Sequence, residues 1–307
     1  MEDGVTSGVG GSLAVSLDRV TKIYRGGGGV RELSLDVEVG EVFGFLGPNG
    51  AGKTTTIRLV LDLIRPSSGR ITVLGLDSRD DSVAIRRRVG YLPGELALYE
   101  RLSARQILSH FAHLRGGLEW SRVQHYVDAF ELDVDRPVRS LSRGNRQKVG
   151  LVAAMMGDPD LLVLDEPTSG LDPLVQRTVQ VEVRRATSEG RTVLLSSHVL
   201  SEVGEVADRV GLIRDGRLIA IESVAQLQGR AAHLVEVRLR DPRDVSEFLA
   251  LPGVVSHQAH GTSLQFEVTG DLNALVAVLA RHDVEDLSIR EPTLEELFLR
   301  FYGAADE

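Results

Sequence analysis

The chain has 307 residues, 42% hydrophobic and 26% charged, enough for one large packed domain and a smaller second one. A formal net charge of −9 argues against a general nucleic-acid binder, which needs a basic surface to displace counterions. The absence of cysteine excludes disulfides, thiolate metal sites and thiol catalysis, and 5% aromatic content leaves little for large aromatic binding surfaces.

Residues 1–12 are rich in Gly and Ser with almost nothing to bury, and are expected to form a disordered tail. From Leu33 to Val39 apolar and polar residues alternate, the period of a half-buried strand. Glu41–Leu46 reads as a short apolar strand, followed by a Gly-rich loop and a helix from about Lys53 to Ile64 that Pro66 is expected to end. Between residues 93 and 155 the pattern turns helical. The continuous apolar runs Leu161–Leu164 and Thr192–Leu195 predict fully buried parallel strands. Val210–Ile213 and Leu218–Ile221 flank Asp215-Gly216, which predicts a hairpin. Beyond residue 222 the order strand (234–239), helix (245–251), strand (254–257), strand (264–268), helix (272–281), strand (287–289) suggests a small ferredoxin-like domain, or else an irregular α+β appendage. No apolar run of about eighteen residues occurs, and the N-terminus has neither the basic stretch nor the apolar core of a secretory signal. A membrane role is therefore expected to pass through a partner.

The loop Gly47-Pro48-Asn49-Gly50-Ala51-Gly52-Lys53-Thr54, followed by Thr55, fits G-x-x-x-x-G-K-[ST] between a predicted strand and a predicted helix. Glycines let backbone N–H groups turn inward as an anion nest, and the helix N-terminus adds partial positive charge. Lys53 can reach β- and γ-phosphates, and the Thr54 hydroxyl can ligate Mg²⁺. The loop by itself gives a nucleotide, since kinases, GTPases, helicases and recombinases share it. Asp165 and Glu166 close the buried strand Leu161–Leu164; Asp165 is placed to hold Mg²⁺ through water and Glu166 to polarise the attacking water. Upstream, Leu141-Ser142-Arg143-Gly144-Asn145-Arg146-Gln147 opens a helix, with Ser142 as N-cap and free N–H groups at Arg143 and Gly144. His198 follows the strand Thr192–Leu195, and the loop Ser169–Asp172 follows the two acids.

In chain order the phosphate loop, the segment 141–147, the two acids 165–166, the loop 169–172 and His198 are five motifs that resemble the ATP-binding subunits of ABC transporters over about residues 13–222. The resemblance implies an α/β fold: a P-loop NTPase (RecA-like) core with an antiparallel β subdomain and a helical ABC subdomain at about 93–155. A small α+β accessory domain follows at 223–307. It further implies that ATP with Mg²⁺ is bound and hydrolysed, with Lys53, Glu166 and His198 as the catalytic set and His198 contacting the γ-phosphate. Tyr24 would stack on adenine, although a lone aromatic there also suits a core position. Ser142, Arg143 and Gly144 would close over ATP held by a second copy, making the working unit a homodimer joined by the loop Ser169–Asp172. The expected partner is a polytopic membrane permease, at the cytoplasmic face of the membrane, and no nucleic acid is expected. The ending Glu291–Gly303 resembles that of daunorubicin-resistance-type exporters, and also reads as an amphipathic helix capped by Thr293 and Glu296.

Two departures stand out. Arg143 and Asn145 replace a Gly and the final Gln of the LSGGQ signature, and Gly94-Glu95 stands where the family has the Q-loop Gln. Either Glu95 takes over as the Mg²⁺ ligand from one position along, or it is a solvated acid and the site does without that ligand. The rival function is a soluble ABC ATPase acting on ribosomes or DNA, weakened by the single cassette, the short 93–155 segment and the acidic charge.

Overall fold

In the computed structural model the described residues are 12–229, 232–240, 248, 251, 253–260, 263–270, 272–293 and 296–297. The expected tail lies outside them except for Ser12, as do most of the helix expected at 245–251 and most of the C-terminal helix. Backbone contacts divide the chain into two units, 1–222 and 223–307.

The first unit holds two sheets. One is antiparallel, in the order β2-β1-β4-β5, from β1 (Leu13–Ile23), β2 (Gly29–Glu38), β4 (Ser68–Val73) and β5 (Leu76–Asp77). On β2 the alternation works as the sequence suggests: Val30, Leu33, Leu35 and Val37 are buried between exposed polar neighbours. The other is six-stranded, in the order β10-β9-β3-β8-β7-β6. It comprises β3 (Val42–Leu46), β6 (Val89–Leu92), β7 (Leu161–Asp165), β8 (Thr192–Ser197), β9 (Arg209–Arg214) and β10 (Arg217–Ser223). β3, β7 and β8 are buried at every position, as strands covered on both faces must be, and their ladders are parallel. Both sheets contribute to one core, in which Phe43 and Phe45 are wholly buried, each side chain stabilising by about 1.5–3 kcal/mol. Asp215 and Gly216, at φ 51° and 77°, make the β9–β10 turn.

Helix α1 (Lys53–Val60) is shorter than the sequence suggests. Pro66 does not end it. Asp62 adopts φ 49°, and the N–H groups of Asp62 and Leu63 donate to the carbonyls of Leu59 and Arg58, at 3.1 and 2.9 Å. That left-handed cap satisfies the last carbonyls four residues before the proline acts. After α2 (Ser82–Arg88) come α3 (Ala104–Leu114), α4 (Trp120–Ala129) and α5 (Arg143–Met155), which pack on one another, and α5 also packs on β6. Helices α6 (Pro173–Ser188) and α7 (Leu200–Gly204) lie against β8 and β3.

The second unit, after α8 (Val224–Gly229), builds an antiparallel sheet from β11 (His233–Leu239), β12 (Val254–His260), β13 (Ser263–Val268) and β14 (Val284–Arg290), in the order β12-β13-β11-β14. That is the strand order of a β-α-β-β-α-β ferredoxin-like sheet. Its core joins Val235, Val237, Leu264 and Phe266 to Phe248 and to Leu275 and Val278 of α9 (Asn273–Leu279). Thr293 and Glu296 exchange side-chain-to-backbone hydrogen bonds at 2.8 and 3.3 Å, forming the capping box read from the sequence.

Candidate functional site

Strand polarity brings the site together. β3, β7 and β8 run parallel, so the segments leaving their C-terminal ends converge on one edge: residues 47–52 after β3, Glu166 after β7, His198 after β8. A cleft of about 320 Å³ opens there, lined by Pro48, Asn49, Gly50, Gly52, Lys53, Thr54, Thr55, Gly94 and Glu166.

The phosphate loop is built for an anion. Helix α1 starts at Gly52 with φ 114°, a conformation open to glycine and strained for any other residue, and no side chain caps it. Its first N–H groups are left for a ligand, with the helix dipole behind them. Gly47 and Ala51 hold the loop from below, Gly47 packed so closely on the Ile213 carbonyl that a Cβ would stand 2.3 Å from it. Lys53 is buried, and its Nζ donates to the carbonyl of Gly47 at 2.6 Å and lies 3.2 Å from Glu166 Oε1. The other carboxylate oxygen of Glu166 is 2.8 Å from His198 Nδ1. Lys53, Glu166 and His198 thus form one connected set.

Asp165 is wholly buried. Ser196 Oγ donates to its Oδ1 at 2.5 Å, while Oδ2 has no hydrogen-bond partner among the described residues. A buried carboxylate oxygen left without a donor fits a cation or its water shell, and Thr54 on the cleft wall adds a hydroxyl, so the oxygen-rich set suits Mg²⁺. The charge of Asp165 also acts on Tyr91, whose phenol is pushed up from its ordinary value first by burial and then by that carboxylate.

Gly94 lies directly against Asp165: a Cβ there would be 3.1 Å from the free Oδ2. Glu95 is exposed and does not line the cleft. Tyr24 is 40% exposed at the end of β1 and is likewise absent from the lining. Its loop runs to Gly29, whose carbonyl would lie 3.1 Å from a Cβ on Gly52.

Ser142, Arg143 and Gly144 do not line the cleft either. Ser142 caps α5, accepting from the Asn145 N–H at 3.2 Å. Arg143 turns to the loop after β7 and donates to Ser169 Oγ at 3.1 Å, and Gly144 packs against the Gly170 carbonyl. Two further neighbours of the site have little to mark them in the sequence. Ser196, which orients Asp165, is signalled only by a hydroxyl just ahead of His198. Gln147 has no signal beyond its place in the signature helix.

Residues 30–169 match the ABC transporter family. The daunorubicin resistance ATP-binding protein DrrA3 of Streptomyces coeruleorubidus is 36% identical over 303 residues, covering 94% of this chain and 96% of that protein. The human phospholipid-transporting ATPase ABCA7 is 35% identical over 306 residues, covering 93% of this chain. The chain spans only 14% of that relative's length, and 15% of its rodent counterparts'. A solved ATP-binding subunit of an ABC transporter superposes with a TM-score of 0.64 at 27% identity, covering 71% of this chain and 92% of that one.

Proposed function

The chain belongs to the ATP-binding proteins of ABC transporters, an ATPase family, and on that premise we propose how its own residues bind and hydrolyse ATP to drive a separate membrane permease. The observation that carries the proposal is the connected set Lys53–Glu166–His198: Lys53 and Glu166 line a cleft floored by uncapped helix N–H groups, and His198 joins them through the second oxygen of Glu166 without lining the cleft itself. ATP phosphates occupy the nest of residues 47–55. Glu166 is the general base toward water, with His198 on its second oxygen orienting it and facing the γ-phosphate. Glu166 pairs with Lys53 at 3.2 Å; a bound phosphate competes for that ammonium and releases the carboxylate to accept a proton. Thr54 and Asp165 would hold Mg²⁺, which supplies charge neutralisation at the phosphate oxygens.

Two copies work together. Ser142, Arg143 and Gly144 present the N-terminus of α5 away from their own cleft's lining, which supports a role on the nucleotide of a partner copy, and the neighbouring loop Ser169–Asp172 joins the two. Tyr24 takes the adenine side. The permease contacts the dimer at the cytoplasmic membrane face; among the described residues no helix is long and apolar enough to cross a membrane. Export of drug-like or lipidic compounds is supported by near-full-length similarity to a daunorubicin resistance protein. For Glu95 the exposed position favours a solvated role, with Gly94 leaving space at Asp165. Residues 223–307 act as a regulatory or dimer-supporting domain.

Mixed dimers test the shared site. Lys53→Ala is expected to weaken nucleotide binding in its own cleft, and Ser142→Phe to spare binding but impair hydrolysis. Combining the two restores part of the activity, because one composite site then carries neither lesion. No recovery despite demonstrated subunit exchange excludes sites shared between copies.

A further inference from the structure

Glu166 sits on unfavourable backbone. Its φ of 51° is left-handed, uncommon for a residue other than glycine, and it precedes Pro167, which by itself pushes the preceding residue toward extended conformations. Left to its own preferences this residue would swing to extended backbone and carry its carboxylate away from Lys53 and His198. Such strain persists only where the surroundings over-determine it.

The surroundings do so at both ends of the residue. The Glu166 N–H donates to the carbonyl and the hydroxyl of Ser196, at 3.2 and 3.1 Å, tying the N-terminal side to β8. On the C-terminal side, the Gln147 amide donates to the carbonyls of Glu166 and Pro167, at 3.3 and 3.2 Å. One NH₂ group has two hydrogens, so both carbonyls are served by a single buried side chain. The Ser169 N–H also reaches the Glu166 carbonyl at 3.2 Å, but it comes from the same loop and cannot anchor that loop to the rest of the fold. Gln147 is the external anchor of these two carbonyls; farther along the loop, Thr168 Oγ1 donates to Glu202 and Arg143 to Ser169 Oγ.

We infer that Gln147 is the positioning residue of Glu166: it clamps two successive carbonyls and so holds the left-handed backbone that aims the carboxylate at Lys53 and His198. The inference rests on the reading of Glu166 as general base. It has a consequence for the dimer. Gln147 lies one helical turn beyond Ser142–Gly144, so the helix that presents those residues to a partner's nucleotide also braces the base of its own cleft. Engagement of one site is thereby transmitted to the carboxylate of the other through α5.

The test uses the full chain with three variants, Gln147→Met, Glu166→Gln and the double variant. Gln147→Met keeps the length of the side chain and removes both donors. ATP affinity, read by equilibrium binding, is expected to stay within twofold of the parent. The hydrolysis rate is expected to fall by about 10- to 100-fold, the range that loss of one strained backbone conformation supports. In the Glu166→Gln background the same substitution is expected to change the residual rate by less than twofold, because the group being aimed is already gone. A purely structural role would instead lower binding and turnover in parallel, and would slow the Glu166→Gln protein by the same factor again. Either result overturns the inference, as does a Gln147→Met rate within twofold of the parent. If Gln147→Met does not fold, Gln147→Leu carries the test with the same expectations, since it too fills the space without a donor. A Glu166→Gln protein that hydrolyses ATP normally overturns the general-base reading itself; a dead Glu166→Gln beside a normal Gln147→Met overturns the clamp alone.

Discussion

The two units use their sheets in opposite ways. In the first, parallel strands β3, β7 and β8 all deliver their C-terminal ends to one edge, so that a phosphate loop, two acids and a histidine meet there from positions more than a hundred residues apart. In the second, each strand runs against its sheet neighbours, so β11 and β12 end at one edge and β13 and β14 at the opposite one. Among its described residues Arg290 pairs with Glu296 and Arg240 with Glu285. Parallel topology concentrates chemistry and antiparallel topology disperses it, which is why every residue assigned to ATP lies before residue 199.

The largest effect that sharpens this contrast is at the convergent edge. Glu166→Gln removes the base and leaves Lys53 and the phosphate loop in place. Turnover is expected to drop by about 10²- to 10⁴-fold, while ATP binding persists and the ATP-bound dimer accumulates. Single-turnover hydrolysis alongside gel filtration with ATP measures both. Near-parent turnover would take Glu166 out of the base role.

How much of this edge is legible in the sequence depends on whether a residue's job is set by neighbours in sequence or in space. Residues 47–54 stand out because strand, loop and helix are contiguous. Asp165 and Glu166 stand out because two acids closing an apolar run cannot both be packing residues. The fit of Ser196 Oγ to Asp165 spans thirty-one positions and that of Gln147 to Glu166 nineteen, and no local pattern encodes either pairing. The end of α1 departs from expectation for a related reason: Pro66 is a visible breaker, whereas the left-handed Asp62 that stops the helix is an ordinary residue in an unusual conformation. In the second unit β11 and β13 are legible from alternation, because one face of each is buried, whereas β14 is exposed along its whole length and shows no such pattern of burial.

A smaller effect tests whether the units are separable. Phe266, almost wholly buried, stacks on Phe248 with ring centroids 5.4 Å apart at the centre of the second core. Phe266→Ala is expected to destabilise that unit by about 3–5 kcal/mol, seen as faster hydrogen exchange across β11 and β13. Nucleotide affinity should be unchanged, since no residue of the cleft belongs to that core. Loss of ATP binding by a variant whose first unit remains protected would show that the cleft depends on the second unit.

The smallest effect lies at the surface of the second unit and depends on acid. Arg290 donates to both carboxylate oxygens of Glu296, at 2.7 and 2.8 Å, and the Thr293 N–H adds a third bond at 2.8 Å. The guanidinium chiefly, and the Thr293 N–H after it, pull the Glu296 carboxyl down from 4.5 to about 2. The native state therefore holds this group ionised where the unfolded chain would protonate it, and ΔG of unfolding contains a contribution that is complete above pH 4.5. As the pH falls through that value the unfolded chain takes up the proton first, and the contribution drains away until it is gone below about pH 2. The stability gap between parent and Glu296→Gln should be flat at neutral pH and should close across that window. It should be modest throughout, because the pair is partly exposed and salt screens it. A carboxyl ¹³C titration gives the same answer at the residue itself. A Glu296 midpoint near 4.5 would mean that neither the fork to Arg290 nor the bond from the Thr293 N–H holds in solution.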